Sequence, residues 1–143
     1  MIERLLVPIA GEALDARALA VSVDLARQLG AAITGVIVEP FPSAPLAQAF
    51  DAAKHGEDTA LQAHAKSALA AFAESAREAG VPFQGLATQA SNVADAILAA
   101  AADHRCDMIV MATHARRGLA WMLWGSHTRD VMARTTLPVL VLQ

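Results

Sequence analysis

The sequence has no tyrosine, one cysteine and few aromatic residues: two tryptophans and four phenylalanines in 143 residues. The lone Cys106 excludes an internal disulfide, so the fold must close on its apolar core, and a reducing compartment suits it. No apolar run approaches the roughly 18 residues that a membrane helix needs. The first residues, Met-Ile-Glu-Arg-Leu-Leu-Val-Pro, lack the apolar centre and small-residue cleavage site of a signal peptide. Blocks of one charge are missing as well. Eleven basic and fourteen acidic side chains give a formal charge of −3, which resembles neither a nucleic-acid footprint nor a polybasic membrane anchor. These absences lead to the expectation of a cytoplasmic protein with no nucleic-acid or membrane partner.

Several kinds of chemistry are also missing. There is no glycine-rich phosphate loop ending in Lys-Ser/Thr, no dinucleotide fingerprint, no nucleophile elbow and no His-Glu-x-x-His pair. His55 and His64 lie nine positions apart, a spacing that gives no metal-ligand pair on a helix. Without a base, a nucleophile and an orienting group in register, the sequence assigns no catalytic residue and no metal ligand.

What is present is 55% hydrophobic, much of it alanine, in a length that fits one domain over residues 1–143. Arg4 to Pro8 reads as a buried strand that Pro8 breaks. Leu14, Ala18, Val21, Leu25 and Leu29 form an apolar helix stripe with Gly30 as its stop. Ala32 to Val38 is a second strand. Three prolines then interrupt regular structure in the segment from Glu39 to Gly56, where Leu46, Ala49 and Phe50 can form a short helix.

A longer helix from Glu57 to Ala79 carries Leu61, Ala65, Leu69, Phe72, Ala76 and Ala79, and Gly80-Val81-Pro82 closes it. A weaker strand, Phe83 to Thr88, precedes a helix capped by Ser91 or Asn92, with Asp95 in its first turn and Val93, Ile97 and Ala101 inward. Asp107 to Ala112 is a fourth strand, Gly125 to Arg134 a fourth helix and Pro138 to Leu142 the last strand. Strands alternating with helices predict an α/β fold, a doubly wound parallel sheet with helices on both faces.

Between the fourth strand and fourth helix lies Met111-Ala112-Thr113-His114-Ala115-Arg116-Arg117-Gly118, followed by Gly125-Ser126. With the terminal Leu-Pro-Val-Leu-Val-Leu, this order resembles the universal stress protein family. Members that bind ATP carry glycine, two residues, glycine, nine residues, then Gly-Ser or Gly-Thr. Here the frame is kept, but Ala112 and Ala115 replace the two glycines.

The resemblance implies a five-stranded sheet of order 3-2-1-4-5, like that of the adenine nucleotide alpha hydrolases, with a crevice between strands one and four. It also implies a dimer in the stress response, paired through the strand from Pro138 to Leu142, and possible protein partners beyond its own copy. The positions matching a nucleotide site are Pro8, Val38, Met111, His114, Gly125, Ser126 and Thr128. Four of them have a plainer reading: Val38 and Met111 as core residues, His114 as a solvated loop residue, and Ser126 as a helix cap beside the dipole-complementing Asp130.

Three departures weaken that site. Ala112 and Ala115 add methyl groups where backbone amides would approach phosphates. Ala10 stands where relatives carry an aspartate near the ribose, and Glu12 comes two residues too late to replace it. His127 either crowds phosphates or, once protonated, attracts them. The expectation is therefore no cofactor or weakly bound ATP or ADP, with Mg²⁺ only as its companion. Arg116 and Arg117 could draw an anion or simply be solvated. Trp121 and Trp124 are read as packed or as a partner contact, and Cys106 as a structural thiol.

Overall fold

The computed structural model of the chain describes residues 1–9, 16–40, 54–112 and 126–142, the side chains of 39, 40, 54–65 and 126 excepted. Five strands, β1 (Arg4–Ile9), β2 (Ala32–Pro40), β3 (Phe83–Ala90), β4 (Met108–Ala112) and β5 (Val139–Leu142), form one sheet of order β3-β2-β1-β4-β5. All neighbours are parallel. Four described helices connect them: α1 (Ala16–Leu29), α2 (Lys54–Glu78), α3 (Val93–Asp103) and α4 (Ser126–Arg134). The expected α/β fold and strand order are those observed.

Alternation along the strands separates two cores. Leu5, Val7, Ile9, Ile33, Ile37 and Val110 pack with Val23 and Ala26 of α1 and with Phe72 and Ala76 of α2. Leu6, Val36, Val38, Ile109 and Met111 face the other way, toward Ala94, Ile97 and Ala101 of α3 and Val131 of α4. Helices therefore cover both faces. This is why the strands are apolar runs rather than alternations of apolar and polar residues.

Strand limits differ from expectation chiefly at proline. Pro8 does not end β1: the strand runs on to Ile9 and pairs with β2 at six successive positions, with Pro8 opposite Val36. β2 extends to Pro40, β3 to Ala90, β4 begins at Met108 and β5 at Val139. The α1 stripe also needs correction. Val21 and Leu29 are exposed, and the buried residues are Ala18, Ser22, Val23 and Ala26. Small side chains let the helix lie close to the sheet, so the alanine face goes inward and two larger apolar residues are left outside. Ser22 satisfies its buried hydroxyl by donating to the Ala18 carbonyl at 2.7 Å.

The α2 stripe lies where expected: Phe72 and Ala76 are fully buried, and Leu69 and Ala79 pack against them. Leu14, Leu46, Ala49, Phe50, Leu61 and Ala65 lie outside the described residues or side chains. Phe72 stacks on Phe83 with ring centroids 5.0 Å apart. The Phe83 ring lies over Gly35, where an added Cβ would meet ring carbons at 3.0 and 3.1 Å. Gly35 thus keeps a flat patch of β2 open for the aromatic pair.

Three helices end in the same motif. The Gly30 N–H donates to Arg27 and Ala31 to Ala26; Gly80 donates to Arg77 and Val81 to Ala76; Arg105 donates to Ala102 and Cys106 to Ala101. The central residue has positive φ each time: 67° at Gly30, 73° at Gly80 and 53° at Arg105. The following residue, Ala31, Val81 or Cys106, is buried, as a Schellman cap requires. Burial pushes the Cys106 thiol pKa up, and the neighbouring Thr34 hydroxyl partly offsets this. The thiol is buried, in keeping with the structural reading. Thr34 Oγ1 itself has no hydrogen-bond partner of normal geometry.

At α3, Asn92 rather than Ser91 is the cap, its Oδ1 accepting the Asp95 N–H at 3.0 Å. Arg105 is the only described residue other than glycine with positive φ. The substitution Arg105→Gly should relieve a cost of about 1 kcal/mol. It should raise the denaturant midpoint at unchanged slope; an unchanged or lower midpoint would show that this cap is not strained.

Candidate functional site

In a parallel sheet all strands end at one edge, and a crevice forms where the chain reverses its direction of winding. Here the reversal lies between β1 and β4: β1 connects onward to β2 on one side, whereas β4 adds on the other. The ladder is unequal on the two sides of β1. Six residue pairs join β1 to β2, but only Leu5–Met108 and Leu6–Ile109 join β1 to β4. At the opposite end, the Asp107 carboxylate accepts the N–H groups of Glu3 and Arg4 at 2.8 and 3.0 Å. The two strands are clasped at their base and lose their rungs toward the crevice.

Three expected site residues come together at the carboxyl ends of adjacent strands. Val38 of β2 and Met111 of β4 are 8% and 6% exposed and belong to the core beneath α3 and α4. Pro8 of β1 lies between them on the same face by alternation with Leu6, and is only half buried. Val38 and Met111 thus have a place in the core irrespective of any ligand. Ala112 is the last residue of β4 and is half buried.

Helix α4 brings Ser126 and Thr128 to this region. Ser126 is its first residue. Thr128 is 5% exposed, one turn before the fully buried Val131, which joins the same core as Met111. The first turn of a helix directs free N–H groups and the positive end of its dipole outward, a setting suited to anions. His127 is exposed, so of the adjacent pair it is Thr128 that turns inward. Asp130 is exposed as well.

The sequence did not single out the contact that joins α4 to α3. Arg134 and Asp95 form an ion pair at 2.6 Å, so the acid in the first turn of α3 is answered by a cation from the last turn of α4. The two residues are far apart in sequence, and only the packing of the helices brings them together. Ala10, Glu12, His114, Ala115, Arg116, Arg117, Trp121, Trp124 and Gly125 lie outside the described residues, as does the side chain of Ser126. Among the described residues no three His, Cys, Asp or Glu side chains group to hold a metal. No helix there is long and apolar enough to cross a membrane.

Among solved structures, UspA from Lactobacillus plantarum superposes with a TM-score of 0.77 at 20% identity, over 99% of this chain and 98% of that one. A universal stress protein from Archaeoglobus fulgidus in complex with dAMP gives 0.66 at 20% identity, over 100% of both chains. A universal stress protein in complex with cAMP gives 0.69 at 19% identity, over 99% of this chain and 97% of that one. At such identities the likeness establishes the fold. No curated protein sequence matches the chain. The family model described as "Universal stress protein family" matches residues 1–143. With the sheet order agreeing with that match over the whole sequence, the chain belongs to the universal stress protein family.

Proposed function

We propose that this protein is a stress-response member of the family that holds ATP weakly or not at all and acts through protein contacts, as a homodimer paired along β5. The observation that carries the first half is Ala112 at the end of β4, where ATP-binding members have the first glycine of their loop. Ala115 repeats the change, and Ala10 removes a carboxylate across the crevice. Ala112 keeps the extended backbone of β4 without positive φ, so what it adds is a methyl group in the path of the phosphates; a left-handed backbone at position 115 would cost about 1 to 2 kcal/mol, or roughly tenfold in affinity.

A second reading is supported by the retained helix start at Ser126 and the inward Thr128. One helix N-terminus suffices for one phosphate, and two structural neighbours are complexes with cAMP and dAMP. In this reading the chain is an adenine-nucleotide-binding stress protein, better suited to a monophosphate than to a triphosphate. Any Mg²⁺ would arrive with the nucleotide.

Calorimetric titration separates the two readings. MgATP should bind more weakly than about 100 μM, and the double change Ala112→Gly with Ala115→Gly should tighten it at least tenfold. Low-micromolar MgATP binding by the unaltered chain, abolished by Ser126→Trp, would refute weak binding. AMP or cAMP binding tighter than MgATP would favour the monophosphate reading.

The dimer reading rests on the edge position of β5. Pro138 offers its carbonyl to Ile109 of β4, so alternation turns the backbone groups of Val139 and Val141 outward. A four-residue apolar edge with outward donors invites a second copy. Sedimentation at micromolar concentration should report a dimer. Val141→Pro, which removes one outward N–H and leaves the β4 ladder intact, should report a folded monomer; a monomeric unaltered chain would contradict the proposal.

A further inference from the structure

Pro8 occupies a position where proline should be disfavoured, inside the central strand of a parallel sheet with neighbours on both sides. The direction of its missing donor explains how it is accommodated. The Glu3 carbonyl accepts from Ala32 of β2, whereas the Arg4 carbonyl accepts from Asp107, just before β4. Backbone groups of successive residues point to opposite neighbours. The even-numbered residues of β1 therefore face β4, Pro8 among them. On β4 the Ile109 N–H goes to Pro138 of β5, so Val110 and Ala112 face β1.

The rung after the Leu6–Ile109 pair would need an N–H at position 8 donating to the Val110 carbonyl. Proline has none, and the ladder ends at that pair. The β2 side does not use that donor and stays paired through Pro8 to Ile9.

We infer that Pro8 is a positioning residue: by withholding one N–H it stops the β1–β4 ladder and keeps the crevice open. It leaves the Val110 carbonyl without a donor from β1 and facing the gap, available to the polar edge of a small ligand. In this account the part Pro8 plays at the site is a missing donor rather than a contact made by its ring. The consequence for a ligand rests on the nucleotide reading above; the stopped ladder does not.

The test is Pro8→Ala, which returns the N–H with little other change, with Pro8→Val as a second, strand-favouring variant. In the ligand-free chain, the restored amide at position 8 should exchange with solvent at least about 100-fold more slowly than a free amide. It should also show a scalar coupling to the Val110 carbonyl. Both variants should then bind AMP and MgATP at least tenfold more weakly than the unaltered chain, with thermal stability kept or raised.

Fast exchange at position 8 in both folded variants would overturn the inference, because the strands would then diverge for reasons other than proline. Protection at position 8 with unchanged nucleotide affinity would also overturn it, separating the ladder from the site. If the unaltered chain binds neither nucleotide, the nucleotide reading fails, and exchange at position 8 still decides the ladder.

Discussion

The structure depends on how β1 shares its backbone between two neighbours. Leu5, Leu6 and Val7 are buried on alternate faces, and their N–H and C=O groups have no water to turn to, so rungs must be made to both sides. At the base this is met on each flank, by Ala32 on one and by Asp107 on the other. Toward the carboxyl end it is met only on the β2 flank. The asymmetry falls at the reversal of strand order, where a doubly wound sheet forms its crevice.

Much of the architecture was legible in the residues. Continuous apolar runs indicated strands covered on both faces. Glycines at 30 and 80 marked two helix ends, and both adopt positive φ. The third such end was hidden because arginine occupies it, and only the hydrogen bonds of Cys106 and Arg105 reveal the motif. The phase of α1 was misread for a related reason. A stripe chosen by side-chain size favours Val21 and Leu29, whereas close packing on the sheet favours alanine. Strand order came from family resemblance, since periodicity carries no information about which strand lies beside which.

Pro8 shows the limit of local rules most clearly. Read alone, proline ends a strand; in the sheet it interrupts one ladder and leaves the other whole. Of the candidate site, Val38, Met111 and Thr128 were found by motif matching, and all three lie beneath or within α4 or at the strand ends. Their burial makes them part of the core as well. The Asp95–Arg134 pair had no sequence signature, because it joins the first turn of one helix to the last turn of another.

The proposed loss of triphosphate binding rests on the chemistry of a few atoms. Ala112 and Ala115 contribute two methyl groups, Ala10 removes a carboxylate, and the helix start at Ser126 is retained. This combination favours loss of the triphosphate over loss of every phosphate ligand. It also shifts weight to the sheet edges, of which β5 is apolar and short. The most direct test of a crevice between β1 and β4 is an amide shift map recorded during titration with AMP. The account predicts changes concentrated at Ile9, Val38, Met111, Ala112 and the first turn of α4. Changes confined to β3 or to the outer edge of β5, with those amides unmoved, would contradict it.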